Sequence, residues 1–257
     1  MEKIDFGLML PGGIRINDEN VNPTWKEHVR TREATTVAFV KILDFRKIYV
    51  ECVCATIGRK LGLPIPRPML VKVPEESLPD FINGKGTLLG FGSEDAKHPS
   101  FRRFFNSNSD YAIQNLIEFS KTLDIAIFDE WIGNWDRNIG NVLYDGGSEF
   151  YFIDHENAID KSLKYDSPAS RNQFLQQLSI SLSEFEKHKL NKKSNIEIIP
   201  SYSMVEFSLI SEKTQGGIYL SDDEVVEVIQ FLENRLDSLT ELVAKRWDFK
   251  QLGLNYE

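Results

Sequence analysis

Phe128-Asp129-Glu130-Trp131-Ile132-Gly133-Asn134-Trp135-Asp136-Arg137-Asn138-Ile139-Gly140-Asn141-Val142-Leu143-Tyr144, continued by Asp145-Gly146-Gly147-Ser148-Glu149-Phe150-Tyr151-Phe152-Ile153-Asp154-His155, carries more chemistry than any other run of this chain. An apolar helical pattern ends there in a polar, Gly-containing loop that holds Asp136 and Asn141 five residues apart. Two β-rich runs, 142–144 and 150–153, bracket Asp145-Gly146-Gly147-Ser148, which is turn chemistry and predicts an antiparallel hairpin. The hairpin brings Asp154 back beside Asn141. An amide oxygen and a carboxylate then converge on one point, and hard divalent cations take oxygen ligands. Asp136, one loop away, is set to accept a proton from a hydroxyl.

Five is the Asp-to-Asn spacing of the protein-kinase catalytic loop. Phosphoryl transfer asks a protein to orient a hydroxyl and hold Mg²⁺ against phosphates rather than to do covalent chemistry, and these three residues suit that task. Asp, Asn and Gly also fill ordinary surface turns for local backbone reasons, so none of the three is informative alone. The conjunction is: the spacing, the hairpin length, and an Asp directly after an apolar strand. Arg137 either neutralises phosphate or pairs with an acidic neighbour, and His155 either contacts the metal loop or is structural. Residue type leaves both choices open.

The string 131–141, followed by Phe152-Ile153-Asp154-His155, resembles the HipA-like kinase family and, more distantly, the phosphatidylinositol kinases. In that family the loop is Asp-Arg-(His/Asn)-x-x-Asn, and the metal-binding Asp lies in an Ile-Asp-His or Ile-Asp-Phe run. The resemblance implies ATP and Mg²⁺ as cofactors, Asp136 as the catalytic residue, and Asn141 and Asp154 as metal ligands. It implies transfer of the γ-phosphate to a hydroxyl, foremost Ser or Thr of a protein substrate, and for toxin members an antitoxin-type protein partner. The chain departs from the family pattern in two ways: it is short beside full-length toxins, and its phosphate-binding loop is not recognisable. Those departures leave two alternatives, a nucleotide-binding pseudokinase acting as a regulatory scaffold and a kinase for small molecules or lipid head groups.

Upstream, residues 35–43 form a β-branched run with a single lysine inside it, Lys41. A lysine in an apolar strand must find a counter-charge, and in kinases it finds the nucleotide phosphates and a helix glutamate. Ala38-Phe39-Val40-Lys41 resembles the Val-Ala-Ile-Lys pattern; the alternative is a strand-edge lysine in solvent. Residues 46–61 have apolar positions at helical spacing and stop at Gly62-Leu63-Pro64. The resemblance makes Glu51 on that helix the partner of Lys41; a solvent-facing helix charge is the alternative. Pro11-Gly12-Gly13 follows a short apolar strand, and a phosphate-cradling role for it competes with an ordinary turn.

The chain has 257 residues, 41% of them hydrophobic, which suffices for a sizeable core. Its net charge of −9 argues against a nucleic-acid binder, which needs a basic footprint. Cys52 and Cys54, one residue apart in an apolar segment, offer neither a disulfide framework nor a four-ligand zinc site. With no signal-peptide pattern and no apolar run of spanning length, the expectation is a cytoplasmic protein that neither enters a membrane nor binds nucleic acid.

The expected architecture is α+β and two-lobed, like a protein kinase. Residues 1–92 form a small antiparallel β lobe with one helix, and 93–257 a larger helical lobe with the catalytic loop and hairpin. Residues 92–95 are expected as a hinge loop, 17–33 as irregular, and 190–195 as a polar, basic loop whose lysines either attract an acidic substrate or are merely solvated. Helices are expected over 113–131, 174–182 and 224–247, the last with an amphipathic core stripe. Autophosphorylation is expected on Thr24, Thr31, Thr35 or Thr36, in a mobile loop over the nucleotide.

Overall fold

The computed structural model describes residues 1–16 and 22–247. The first lobe is a six-stranded sheet: β1 (Asp5–Met9), β2 (Ile14–Arg15), β3 (Thr24–Arg30), β4 (Thr35–Lys41), β5 (Pro68–Val73) and β6 (Leu88–Glu94). Helix α1 (Phe45–Lys60) follows β4, and a single turn, α2 (Pro79–Ile82), lies between β5 and β6. Sheet order is β1-β5-β6-β4-β3-β2, and β1 also pairs with β3 through Leu8↔Arg30 and Met9↔Val29. The sheet therefore closes into a barrel. Because β1 runs parallel to β5, the expected plain antiparallel lobe is corrected to a mixed, closed one. Parallel pairs need a long crossover, and side-chain periodicity reports faces of a strand rather than its partners.

Period-two alternation sorts the two faces. Met9, Trp25, Val29, Ala38, Val40, Met69, Val71 and Val73 fill one cluster inside the barrel. Leu70 and Phe91 face outward and pack on Ile48 and Cys52 of α1. Lys41 follows Val40 and so points to the opposite side, the side α1 covers. Asp44 caps α1 by accepting from the Lys47 amide at 2.9 Å.

Three other expectations change in this lobe. Residues 24–30 are a strand rather than irregular chain: Trp25, Glu27 and Val29 are buried while His28 and Arg30 are exposed, so charge on the outer face masks the pattern. Residues 92–94 belong to β6, so no loop begins at 92. The four threonines lie in a paired hairpin and its turn, with Thr24 only 5% exposed. That placement overturns the mobile-loop expectation for them, while residues 17–21 lie outside the described part of the chain.

The second lobe comprises α3 (Arg102–Ser107), α4 (Ser109–Glu118), α5 (Thr122–Trp131), β7 (Val142–Tyr144), β8 (Phe150–Phe152), α6 (Gln173–Ser181), α7 (Glu184–Lys193), α8 (Ile199–Ser201), α9 (Ile210–Thr214) and α10 (Asp222–Arg246). The expected 113–131 helix is two helices, broken between α4 and α5. Almost every residue of α5 is buried, which makes it the spine of the lobe. Val225, Val228, Leu232, Leu239 and Val243 of α10 join the same core. Residues 190–193 continue α7, so the basic-loop expectation is corrected. Ser183 and Glu186 form a capping box at its start, and Lys192 and Lys193 sit in its last turn, where cations suit the helix dipole. Among the described residues no helix is long and apolar enough to cross a membrane.

The β7–β8 hairpin forms as the turn chemistry requires, with Val142↔Phe152 and Tyr144↔Phe150 in register. Asp145 Oδ1 accepts from the amides of Gly147 (2.8 Å) and Glu149 (3.0 Å), which closes the turn. Tyr144 and Phe150 stack at 4.2 Å.

Candidate active site

The catalytic loop begins where α5 stops. Ile132 N donates to Phe128 O at 2.9 Å, and Gly133 then takes φ +65, a left-handed conformation that glycine adopts without strain. Asn134 N returns to Asp129 O at 2.8 Å. The chain is thereby turned off the helix axis into 134–141.

Arg137 fastens that loop from below. It is 1% exposed and forks onto Asp129, with Nε–Oδ2 at 2.9 Å and Nη2–Oδ1 at 3.0 Å. Its Nη1 donates to the carbonyls of Asn141 (3.2 Å) and of Ile153. One guanidinium thus ties the loop residue Asn141 to the residue preceding Asp154. Of the two readings of Arg137, the acidic neighbour is the one realised. Asp129 escaped sequence reasoning, although a carboxylate in the last turn of the helix, eight residues before a loop arginine, is a usable signal.

Asp136 is held by backbone and side chain together. Its amide donates to Asn134 Oδ1 (3.1 Å), and its carbonyl accepts from Asn138 Nδ2 (3.0 Å) and Asn141 Nδ2 (2.9 Å). Asn157 Nδ2 donates to Asp136 Oδ2 at 3.0 Å, a second contact not anticipated. With its nitrogen engaged, the Asn141 amide has its oxygen left as an acceptor. Ile153 N donates to Asn141 O at 3.1 Å, which brings Asp154 alongside. Asp154 itself has φ +67, a conformation uncommon for a non-glycine residue and concentrated at functional sites.

Lys41 meets three carboxylates: Asp154 Oδ1 at 2.7 Å, Glu51 Oε1 at 3.2 Å and Glu156 Oε2 at 3.3 Å. Glu51, 1% exposed, also accepts from the His155 amide at 3.0 Å, with His155 Nδ1 at 3.4 Å. Glu156, which the sequence reading did not single out, bonds Lys47 Nζ at 3.5 Å and accepts from Asn22 Nδ2. Burial alone would lower the Lys41 pKa, but Glu51, Asp154 and Glu156 outweigh it and hold the ammonium well above its ordinary value. Burial pushes the Glu51 carboxyl up; Lys41 and then His155 outweigh it and hold it well below. Burial raises the Glu156 carboxyl, and Lys41 offsets only part of that.

The depressed Glu51 value makes a pH prediction. A group whose folded pKa lies below its unfolded one contributes stability that is full above the ordinary carboxylate value of 4.5 and lost as pH falls through the folded value. Thermal denaturation is therefore expected to show Glu51→Gln less stable than wild type at pH 7, with the gap narrowing as pH drops below 4.5. A gap that stays constant into acid would contradict the ion-pair account.

Lys41, Glu51 and Asp154 thus touch directly, while Asn141 and Asp136 join them through Arg137, Ile153 and the loop's own amides. Ligand oxygens of Glu51, Asp154 and Glu156 all lie within 4.8 Å of one another, a hard-oxygen donor set that fits a divalent cation. Pro11-Gly12-Gly13 turns the chain from β1 into β2, with Gly12 at φ +110.

The family model for HipA-like kinases matches residues 33–201, more than half of the chain. A Helicobacter pylori structure, described as the crystal structure of the proinflammatory kinase CtkA, aligns with TM-score 0.57 and 12% sequence identity. The alignment covers 93% of this chain and 97% of that one, and at such identity it shows a shared fold. No curated protein matches the sequence. Lys41, Asp136, Asn141 and Asp154 all fall within the matched range, and the chain belongs to the HipA-like kinase family.

Proposed function

We propose that the chain is an ATP- and Mg²⁺-dependent kinase that transfers the γ-phosphate to a Ser or Thr hydroxyl of a protein. The observation that carries this is the meeting of Lys41 with Glu51 and Asp154 at 3.2 and 2.7 Å, beside a loop in which Asn141 binds the Asp136 carbonyl. In this reading residues 1–92 and 93–257 are two lobes with the nucleotide between them. Mg·ATP, when bound, supplies the phosphoryl group and neutralises charge on its oxygens. Asp154 and the Asn141 oxygen would hold the metal. Lys41 orients phosphates, and Glu51 keeps the lysine in place. Asp136 orients the acceptor hydroxyl and takes its proton, with Asn157 fixing the carboxylate's rotation. The net charge of −9 supports a protein acceptor over a nucleic acid.

Incubation with Mg²⁺ and labelled ATP, against a protein acceptor, hydroxyl-bearing small molecules and lipid vesicles, tests this. Acid-stable label on Ser or Thr is expected. Label confined to small molecules or lipid refutes the protein acceptor, and nucleotide binding without transfer to anything indicates a pseudokinase.

A separate test addresses the metal. Asp154→Asn is expected to lose the magnesium-dependent part of nucleotide binding, read as the extra thermal shift that Mg²⁺ adds to ADP. An undiminished magnesium increment in that variant removes Asp154 from the metal site.

A further inference from the structure

Glu156 occupies an unusual place for a residue two positions after the metal-loop Asp. Its side chain is 6% exposed and reaches three separate elements: Lys41 on β4, Lys47 on α1 and Asn22 just before β3. Around Lys41 the carboxylates of Glu51, Asp154 and Glu156 face the ammonium groups of Lys41 and Lys47, so the cluster carries one net negative charge. Glu51 is committed to Lys41 and the His155 amide, and Asp154 stands at the metal position. Glu156 is the surplus.

A bare nucleotide polyphosphate approaching Lys41 meets this surplus in a partly dehydrated cleft, where like charges repel more strongly than in water. A divalent cation accompanying the phosphates would be held by Asp154 and would supply the positive charge that offsets this excess. We infer that Glu156 is a selectivity residue that makes the site discriminate metal-bound nucleotide from the metal-free anion. The inference rests on the proposed nucleotide site. It concerns which form of the nucleotide is admitted, through the charge that Glu156 sets around Lys41.

Glutamine at 156 keeps the oxygen that accepts from Asn22 and removes only the charge, bringing the cluster to neutrality. ADP affinity is measured by calorimetry in excess EDTA and in excess MgCl₂, for wild type, Glu156→Gln and Glu156→Asp. In wild type the magnesium form is expected to bind much more tightly. In Glu156→Gln the ratio of the two dissociation constants is expected to shrink about tenfold, through tighter binding of metal-free ADP, which is the size of one unit charge acting across several ångströms of protein. Glu156→Asp restores the wild-type ratio because the charge is back.

An unchanged ratio in Glu156→Gln, a ratio that shrinks only because the magnesium form binds more weakly, or equal weakening of both forms, overturns the selectivity role while leaving the kinase reading intact. Absence of ADP binding by the wild type under either condition overturns both. Melting temperatures of the free proteins, measured alongside, separate a misfolded variant from an altered one, and Glu156→Asp then serves as the folded comparison.

Discussion

Asp136→Asn is expected to eliminate most phosphoryl transfer, cutting kcat by about 10²–10⁴-fold, the range a positioned general base contributes. Asparagine is nearly isosteric with aspartate. Its oxygen still accepts from Asn157 Nδ2, and the backbone contacts to Asn134, Asn138 and Asn141 do not involve the side chain. What disappears is the negative charge that orients the acceptor hydroxyl and receives its proton. Lys41, Glu51 and Asp154 are untouched, so nucleotide affinity is expected to stay within about threefold, far below the one pKa unit or tenfold that a lost charge contact costs. Single-turnover transfer of labelled phosphate, with ADP binding measured on the same preparation, separates the two quantities. Activity within tenfold of wild type would remove Asp136 from the catalytic role.

Arg137→Ala carries the largest expected loss of stability. The guanidinium and Asp129 are each 1% exposed, and removing the cation leaves a buried carboxylate with, among the described residues, Asn134 Nδ2 at 2.9 Å as its remaining side-chain donor. Breaking one partner out of a buried pair costs about 3–5 kcal/mol. For a chain of this size that corresponds to a fall in Tm of roughly 6–20 °C. The Ile153 carbonyl loses this donor and the Asn141 carbonyl keeps only the Ile153 amide at 3.1 Å, so the tie between the loop and the hairpin is weakened. Arg137→Lys rescues little, since an ammonium cannot reproduce the fork. Calorimetric melting of Arg137→Ala, Asp129→Asn and the double variant checks the assignment: the double variant should lose clearly less than the sum of the singles. Additive losses would mean that the two side chains are not coupled.

Much of the fold is legible in local chemistry. Asp145-Gly146-Gly147-Ser148 between two β-rich runs specifies the hairpin, because the turn is closed by contacts no more than four residues apart. Lys41 is marked out by being a cation in a strand of apolar and β-branched residues, and the structure places Glu51 3.2 Å from it. By contrast β3 is hidden, since Lys26, His28 and Arg30 alternate with its buried residues and make the segment look like loop. The run at 190–193 misleads for a similar reason: a helix with polar residues all round shows no stripe, and its cap at Ser183 is the stronger signal.

What the sequence alone determines here is what short-range forces decide: closure of the 145–148 turn, the stop of α1 at Gly62-Leu63-Pro64, the apolar strand that carries Lys41, and the Asp-to-Asn spacing that sets Asp136 and Asn141 in one loop. Barrel closure of β1 on β3 and β5, the capture of Arg137 by Asp129, and the arrival of Glu156 at Lys41 were decided by tertiary packing. Glu156 is 115 residues from Lys41 and 134 from Asn22 along the chain, and no local pattern encodes such a pairing. It exists because a buried carboxylate must find cations, and the cations it finds are whichever ones the packing of α1 and the barrel bring within reach.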